Sequence, residues 1–512
     1  MTSNDPRYVI VQAGGRGSRL GVLTANKPKC LLSVDGEPLL YRLFRQVPDA
    51  QFIVVTDTHA DVLANYFHVV PPPVPVTLVH ATGTGTLAGI AEAVDLVKEP
   101  DAPFLVLWCD LFFDDGLPDF AFGDVPVIGL SDKFSCRWSV DAEGNLVEVA
   151  SDTHGVAGFF SFPNVAALPA LPASGEFVRF LRDHGRPMES IVVPGIREFG
   201  TLAALSAYVN SDRQTRFFNE IAVGEQEVVK RSRVPEFDGL IEAEADWYEM
   251  VGTLGFPHVP TLRRRRPLTL DRVDGVHPFG LDRDGELQAN VLHRIVDCLS
   301  RLHDLRTQPG DQSAVQEMYL HKTLDRVRRV RRLIPNLNEE TLTVNGVRCR
   351  NPLHPRHESW LVDVMDAISV RDFTLIHGDP TFSNTLIGPD LSVWLIDPRG
   401  TFADHAFYGD PRYDWAKLLY SVEGNYDQFN RRRFEVRVDG SNVRLDIASN
   451  GWESQVAALH DHLRDVHVGS RYELETVHAL IWLSLSGYVL DDVDSVLGAF
   501  YNGVAYLERA EK

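Results

Sequence analysis

The sequence has few cysteines, no long apolar run and no excess of positive charge, and each shortage excludes a class of protein. Its five cysteines among 512 residues lie far apart, which fits neither a disulfide framework nor a zinc site. No apolar stretch reaches the ~18 residues of a membrane helix, and the N-terminus lacks a signal-peptide pattern. A net charge of −21 disfavours nucleic acid and anionic membranes as partners. We therefore expect a cytoplasmic protein with no nucleic-acid partner and no membrane insertion.

The first part of the sequence contains the alternation of strands and helices that is typical of an α/β domain. Apolar runs predict the strands Tyr8–Gln12, Phe52–Thr56, Val76–His80 and Phe104–Trp108, with helical patterns between them. This order predicts a parallel sheet covered by helices. Asn219–Val223 and Glu227–Arg231 predict two strands of a hairpin through Gly224, and beyond Glu242 the pattern is mostly helical, with one helix expected over Val315–Leu333. At roughly 100–200 residues per domain, we expect one domain over residues 1–207 and a second over residues 208–512.

A glycine-rich turn, AGGRGSRL, follows the first predicted strand directly. Peptide N–H groups in such a turn can bind phosphate oxygens, because glycine lets the backbone fold around an anion. Arg19 can clamp a phosphate through two hydrogen bonds, and Lys29 can add a point charge. Taken alone, the turn is equally consistent with a plain tight turn.

The continuation NKPKCLLSV at residues 26–34 strengthens the phosphate interpretation. The whole opening resembles the sugar-nucleotide pyrophosphorylase and cytidylyltransferase family, whose pattern is GGxGxRL followed by PK-x-LL. The resemblance implies an α/β fold with a Rossmann-like nucleotidyltransferase domain and a mixed, mostly parallel sheet. It also implies that Arg19 and Lys29 are catalytic. The positions that match the family's nucleotide-binding segments are Gly14, Gly15, Gly17, Ser18, Gly85 and Thr86.

The same resemblance implies a magnesium site. Asp110 ends a predicted strand where the family places a Mg²⁺ ligand, and Mg²⁺ prefers carboxylate oxygens. The family's second acid lies in a D-x-G-T segment, which here reads Glu198-Phe199-Gly200-Thr201. Glu198 is therefore either the second ligand or a solvated loop acid. In the reaction that the family implies, a phosphate attacks the α-phosphorus of an NTP (CTP, UTP or dTTP) and expels pyrophosphate.

A second group of polar residues lies near the middle of the C-terminal half. The segment His377-Gly378-Asp379 is followed by Asn384 and, at the end of a short apolar run, by Asp397. Phosphoryl transfer needs a carboxylate that accepts the substrate hydroxyl proton, together with oxygen ligands that hold Mg²⁺ on the ATP phosphates. An Asp and an Asn in one loop, with a second Asp after a strand, supply that set.

This segment resembles the aminoglycoside phosphotransferase and choline kinase superfamily. The resemblance implies a bilobal protein-kinase-like (α+β) domain, with an N-lobe at about 208–275 and a C-lobe at about 276–512. It implies ATP and Mg²⁺, with Asp379 as the catalytic base and Asn384 and Asp397 as metal ligands. Lys230 would then touch the ATP phosphates, and its ion-pair partner would be Glu244 or, alternatively, Glu242.

Three further features of the C-terminal half bear on its function. Asp414, in the YDWAKL stretch, either orients the catalytic loop or contacts the substrate. The arginines that crowd residues 326–332 predict a solvated basic helix face. The combination of KRS at residues 230–232, IDPRG at 396–400 and GDPRYDWAKL at 409–418 resembles kinases encoded with capsule and surface-glycan enzymes more than choline kinases.

Together these patterns predict a bifunctional transferase. Its kinase domain phosphorylates a small hydroxylated substrate with ATP, and its nucleotidyltransferase domain couples that phosphate to an NTP. Three alternatives remain: a single-activity nucleotidyltransferase with a regulatory kinase-like module, an antibiotic-modifying kinase with a degenerate front domain, and a non-enzymatic nucleotide-sensing scaffold. The sequence leaves a homo-oligomer open.

Overall fold

Strands alternate with helices in the first part of the chain and helices dominate the second, as the computed structural model shows. The structure describes residues 7–15, 17–114, 116–117, 125–185, 187–209, 219–232, 238–466 and 469–511. It divides into two compact units, residues 1–213 with 491–493, and residues 214–490 with 494–512. Within the described ranges, no helix is both long enough and apolar enough to cross a bilayer.

A nine-stranded sheet forms the centre of the first unit. Tyr8–Gln12 lies in its middle, parallel to both Gln51–Thr56 and Phe104–Trp108, and Val76–His80 extends the parallel part. These strands are rich in Val, Ile and Leu because helices cover both faces of such a sheet. The helices of this unit are Leu39–Gln46, Ala60–Val69, Thr86–Val94, Phe177–His184 and Leu202–Val209.

The sheet continues into an antiparallel region that the sequence patterns did not predict. Gly155–Phe162 pairs antiparallel with Phe104–Trp108 and with Val127–Ser131, which in turn pairs with Glu189–Val192 in parallel. A separate pair joins Leu111–Phe113 to Ile196–Glu198. The sheet is therefore mixed but parallel at its centre, as expected. Its remaining short strands are Ser139–Val140 and Leu146–Val147.

The sheet register explains why two distant segments meet. Gln12 and Trp108 are directly opposite each other at the carboxyl ends of adjacent parallel strands. The glycine-rich turn follows the first of these residues, and Asp110 follows the second. Ligands of open α/β sheets bind at this edge, so the fold brings both predicted motifs to the position where binding is expected.

The second unit begins with a small sheet and one long helix. Four strands lie in the order Asn219–Val223, Glu227–Ser232, Leu268–Asp271 and Leu262–Arg264, all antiparallel. The helix Asp238–Thr253 buries Trp247 and Tyr248. This arrangement contains the predicted hairpin through Gly224.

The rest of the second unit is mostly helical, with several small strand pairs. A four-stranded sheet of Thr341–Val344, Val347–Arg350, Phe434–Asp439 and Asn442–Ile447 was not predicted. The predicted helix over 315–333 is interrupted, because a π-helical turn at Glu317–His321 precedes Lys322–Val330. The other helices are Gly285–Asp304, Gln312–Gln316, Trp360–Asp366, Pro411–Val422, Tyr426–Asn430, Val456–Asp465, Arg471–Ser486 and Val493–Ala510. The other strands are Thr307–Pro309, Asp372–Leu375, Thr385–Ile387, Val393–Leu395, Thr401–Phe402, His405–Ala406 and Tyr408–Gly409.

Candidate active sites

The glycine-rich turn lies at the carboxyl end of the central strand. Gly17 adopts φ +62°, and a Cβ there would lie 2.8 Å from Thr24 Cγ2, so the turn requires glycine. Gly14 passes close to Asp57, whereas a Cβ on Gly15 would meet open space. Ser18 and Arg19 are exposed at the start of the 3₁₀ segment Ser18–Thr24. The turn therefore presents backbone and a guanidinium group to solvent.

A small apolar cluster fixes the charged residues around this turn. Leu20, Leu32, Phe112 and Phe199 are buried together. Burying each such side chain contributes roughly 1.5–3 kcal/mol. Leu20 and Phe199 are the immediate neighbours of Arg19 and Glu198 in the sequence. The apolar packing thus determines where these charged side chains project.

Four predicted site residues of the first unit come together. Lys29 Nζ forms an ion pair with Asp110, and Arg19 lies 3.5 Å from Glu198 Oε1. The Phe199 N–H donates to the Asp110 carbonyl at 2.9 Å, which holds the two acid-bearing segments side by side. Glu198 is thus part of the cluster rather than a solvated loop acid.

The two acids of this cluster interact unfavourably. The pKa of Glu198 is raised to about 7, mainly by burial and then by the neighbouring Asp110, while Lys29 and Arg19 oppose the rise. Two carboxylates this close need positive charge, which a divalent cation supplies well. Among the residues described here, no group of three or more His, Cys, Asp or Glu side chains gathers as a metal site. Asp110 and Glu198 are thus the two carboxylates of this cluster that could hold Mg²⁺, with its other ligands supplied by substrate phosphates or water.

Gly85 and Thr86 lie at the start of the helix Thr86–Val94. Gly85 adopts φ +80°, and a Cβ there would lie 2.2 Å from the Gly175 carbonyl oxygen. The Thr86 hydroxyl accepts a hydrogen bond from the Phe177 N–H at 2.9 Å. Both residues thus hold the helix against the segment around Gly175, and their nucleotide-binding role stays a prediction.

A hydrogen-bond network supports the loop that follows Asp372–Leu375 in the second unit. The buried Asp414 accepts from the N–H groups of His377 and Gly378 at 2.8 and 2.7 Å, and His303 Nε2 lies 3.1 Å from it. His377 Nδ1 accepts from the Asp379 N–H at 3.2 Å, and its Nε2 faces the Ile396 carbonyl. Burial lowers the pKa of His377, which favours the neutral ring whose Nδ1 can accept this hydrogen bond. Asp414 therefore orients the loop, which decides between its two predicted roles.

The carboxylate of Asp379 has two partners at the end of this loop. Asn384 donates to Asp379 Oδ2 at 3.0 Å, and Lys417 Nζ lies 3.0 Å from Oδ1. Burial opposes the charged form of Lys417, but Asp379 together with Tyr413 and Tyr426 outweighs burial, so the pKa of Lys417 is raised. The Ile396 N–H donates to the Asn384 carbonyl, so the loop and the Asp397 segment are held together.

Lys230 links the small sheet to this loop within the second unit. Its ammonium group contacts the carboxylates of Asp397 and Glu244, the latter at 2.5 Å. Burial opposes its charge, but both acids outweigh burial and raise the pKa of Lys230. Glu242 pairs instead with Arg266, so Glu244 is the partner of Lys230. The structure thus brings together the five residues predicted here, Lys230, Glu244, Asp379, Asn384 and Asp397.

A cavity of about 400 Å³ in the second unit contains functional candidates that the sequence analysis missed. Besides Asp379 and Asp397, its lining includes Lys322, Arg326 and Arg399. Arg326 was predicted on a solvated face, but it is partly buried and donates to Ser484. One sequence signal was present: Lys322 and Arg326 are four residues apart, so they share one helix face.

Comparison with known proteins identifies the N-terminal region. Residues 9–117 match the model of the MobA-like NTP transferase domain, so this part of the chain is a nucleotidyltransferase domain of that kind. Over 114 residues the chain is 31% identical to the UTP–glucose-1-phosphate uridylyltransferase AglF of Haloferax volcanii, a match covering 22% of this chain and 46% of that protein. Over 89 residues it is 32% identical to a probable molybdenum cofactor guanylyltransferase of Bacillus cereus, covering 17% and 42%. The chain thus spans less than half the length of these relatives.

Solved structures give a weaker similarity. HddC from Yersinia pseudotuberculosis aligns with a TM-score of 0.33 and 19% identity, covering 39% of this chain and 99% of that one. The inositol-1-phosphate CTP transferase from T. maritima aligns with a TM-score of 0.32 and 16% identity, covering 40% and 94%. Similarity at this level says nothing about what this chain acts on.

Proposed function

We propose that this protein is a bifunctional transferase that makes an NDP-activated sugar or alcohol in two steps. The C-terminal unit phosphorylates a hydroxyl group of a small substrate with ATP. The N-terminal unit then couples the new phosphate to CTP, UTP or dTTP and releases pyrophosphate. Such products supply the synthesis of surface glycans, capsule polysaccharides or secondary metabolites.

The nucleotidyl transfer is supported by the domain match and by the cluster of Lys29, Asp110, Glu198 and Arg19. An oxygen of the substrate phosphate attacks the NTP α-phosphorus, and the bond to the β-phosphate oxygen breaks. Negative charge builds on the phosphate oxygens during this step. Lys29 and Arg19 stabilise that charge, and the exposed turn around Gly15 leaves room for backbone contact with phosphate.

Magnesium fits the N-terminal cluster because Asp110 and Glu198 place two crowded carboxylates together. When bound there, Mg²⁺ supplies positive charge to the triphosphate. Sugar phosphates are the first acceptors to test. The relative from H. volcanii carries glucose 1-phosphate in its name, and sugar phosphates are common acceptors in the family that the opening motif resembles.

The kinase step rests on one observation: Lys230 contacts both Glu244 and Asp397, while Asn384 is bonded to Asp379. Small-molecule kinases related to protein kinases use the same set of residues: a Lys–Glu ion pair, a metal-binding Asp, and an Asp and an Asn in one loop. Their fold likewise places a small antiparallel sheet before a helical region. Asp379 accepts the proton of the substrate hydroxyl, whose oxygen attacks the ATP γ-phosphorus and displaces ADP. Asn384 and Asp397 carry the oxygens that would hold Mg²⁺ on the ATP phosphates.

Mass spectrometry of one mixed reaction tests the proposal. The full-length protein is incubated with Mg²⁺, ATP, CTP, UTP, dTTP and a pool of sugars, heptoses, glycerol, glycerate, amino alcohols and sugar phosphates. We expect an NDP-X ion, together with ADP and pyrophosphate, and the ion identifies both X and the base. Omitting ATP should abolish NDP-X from the unphosphorylated acceptors but not from the sugar phosphates.

The outcomes separate this proposal from its alternatives. NDP-X formed only from supplied sugar phosphates, with no ADP, would indicate a single-activity nucleotidyltransferase with a kinase-like module. Binding of ATP and NTP without turnover of either would indicate a nucleotide-sensing scaffold. Formation of X-phosphate without any NDP-X would support the kinase step and contradict the proposed nucleotidyl transfer by the N-terminal unit.

A further inference from the structure

The cavity of the second unit is lined by an unequal set of charges. Five basic and three acidic side chains line it. The acids are Glu244, Asp379 and Asp397, and all three are paired, since Lys230 contacts the first and the third and Lys417 the second. The other three basic side chains make no ion pair with these acids.

Within the described ranges, the hydrogen-bond partners of Lys322, Arg326 and Arg399 are all neutral. Arg326 donates to the carbonyl and hydroxyl of Ser484 at 3.3 and 3.1 Å. Arg399 lies 3.4 Å from the Tyr413 hydroxyl, and Lys322 lies 3.4 Å from the Met318 sulfur. In the part of the chain that the structure describes, none of the three forms an ion pair with a carboxylate.

Positive charge on all three of these side chains at once is unfavourable. The pKa of Lys322 is lowered to about 6, first by burial and then by Arg399, Arg326 and Lys417, while Glu317 opposes the shift. Burial likewise lowers the pKa of Arg326. Like charges held together without a counter-ion destabilise a fold, and such arrangements cluster at functional sites because a ligand relieves the repulsion.

The remaining walls of the cavity suit a hydroxylated carbon skeleton. Tyr319, Tyr413, Tyr420, Tyr426 and Tyr488 line it. The Tyr420 hydroxyl is buried and has no hydrogen-bond partner among the described residues, although a buried phenol normally finds one. A substrate hydroxyl in the cavity would supply that partner.

We propose that the hydroxylated substrate of the kinase step already carries an oxyanion, a phosphate, phosphonate or carboxylate, that Lys322, Arg326 and Arg399 bind. This inference rests on the proposed function and names the class of its acceptor. It excludes cationic amino alcohols and aminoglycosides, which the same side chains would repel. A phosphorylated acceptor would leave the kinase step with two phosphates, only one of which then receives the nucleotide.

A binding experiment tests the anion site without turnover. Inorganic phosphate, and separately malonate as a carboxylate, are titrated into the full-length protein and into the Lys322→Met/Arg326→Gln variant by calorimetry. The control is Arg328→Gln, an exposed arginine on the same helix. Because hydrogen bonds to charged groups are strong, we expect the double variant to lose about tenfold or more in affinity for the preferred anion, and the control to lose none. If the affinity for phosphate and the affinity for malonate are each the same in all three proteins, the anion site is overturned.

A turnover experiment then tests the acceptor class. ADP release is measured with matched sets of neutral, anionic and cationic alcohols: glycerol, glycerate, glycerol 3-phosphate and ethanolamine, and a sugar with its acid, its phosphate and its amine. We expect release with anionic members only, and an increase of about tenfold or more in their KM in Arg326→Gln with the KM for ATP unchanged. Faster turnover of neutral or cationic members would overturn the inference but leave the kinase intact. A third outcome is anion binding that depends on Lys322 and Arg326 but no ADP release with any acceptor. That outcome would contradict the proposed kinase activity and leave the anion site supported.

Discussion

The two candidate sites differ in how they hold their cations. In the N-terminal unit, Lys29 and Arg19 are each paired with an acid, and in the C-terminal unit Lys230 is paired in the same way. Lys322 and Arg326, in the same cavity as Lys230, form no ion pair with an acid among the residues that the structure describes. Paired basic and acidic side chains suit a metal–triphosphate, because the carboxylates can coordinate the metal while the basic side chains bind the phosphates. Unpaired cations suit an anion that arrives without a metal.

The largest expected effect concerns Asp379. Asp379→Asn removes the proposed base, and general-base catalysis commonly contributes ~10²–10⁴-fold, so ADP release should fall by that factor. Nucleotide transfer to a supplied sugar phosphate should be unchanged, because that reaction belongs to the other unit. The measurement is the initial rate of each half-reaction, with Asp404→Asn, an exposed acid, as the control. Undiminished ADP release in Asp379→Asn would falsify the assignment.

The next effect tests the N-terminal cluster. Lys29→Ala removes a cation beside Asp110, and the loss of one stabilising group at a developing oxyanion costs ~10²–10³-fold in rate. Pyrophosphate release should therefore fall by that factor while ADP release persists. Lys98→Ala, an exposed lysine in the same unit, serves as the matched control. Equal rates of pyrophosphate release from Lys29→Ala and Lys98→Ala would mean that the cluster around Lys29 does not catalyse nucleotide transfer.

A smaller effect distinguishes the two interpretations of Glu198. If Glu198 binds Mg²⁺, Glu198→Gln should raise the Mg²⁺ concentration for half-maximal nucleotide transfer at least ~10-fold, since even outer-shell ligands matter by 10–100-fold. The exposed Glu189→Gln should leave the Mg²⁺ requirement as it was. An unchanged requirement in Glu198→Gln would mean that its carboxylate only orients Arg19.

The smallest effect concerns pH and the unpaired cations. Lys322 has its pKa lowered to about 6 by burial and by Arg399, Arg326 and Lys417, against the nearby Glu317. A bound anion raises that pKa, so binding above about pH 6 takes up a proton, and affinity should fall up to about tenfold per pH unit as the pH rises. Sulfate is the suitable probe because it does not titrate in this range. Lys322→Met should bind sulfate with a shallower pH slope, and an identical slope would contradict the charge assignment.

Local patterns predicted much of this molecule. The central strands and the hairpin through Gly224 follow from apolar runs and turn residues, and their observed bounds agree with the prediction to within a residue or two. The association of Asp379, Asn384 and Asp397 was predictable because one short loop and the adjoining strand pair hold all three. The antiparallel strands from Val127 to Val192 were missed, since they pair across long sequence distances that no local pattern encodes.

The unpaired cations were missed for a different reason. A run of arginines on a helix normally faces solvent, and most of the run from Arg328 to Arg332 does so. Lys322 and Arg326 face the cavity because the π-helical turn at Glu317–His321 changes the helix register just before them, and such turns recur at functional sites. Nothing in the sequence marks that turn.

One measurement tests the two-step account most directly. The protein is given ATP labelled with ¹⁸O in the γ-phosphate, unlabelled CTP, UTP and dTTP, and the unphosphorylated acceptor, and the NDP-X product is fragmented in a mass spectrometer. The two-step reaction predicts that the label lies in the phosphate attached to X, including the oxygen that bridges the two phosphates, and is absent from the non-bridging oxygens of the phosphate attached to the nucleoside. An NDP-X product without label would mean that its phosphate does not come from ATP, and would contradict the proposed coupling of the two reactions.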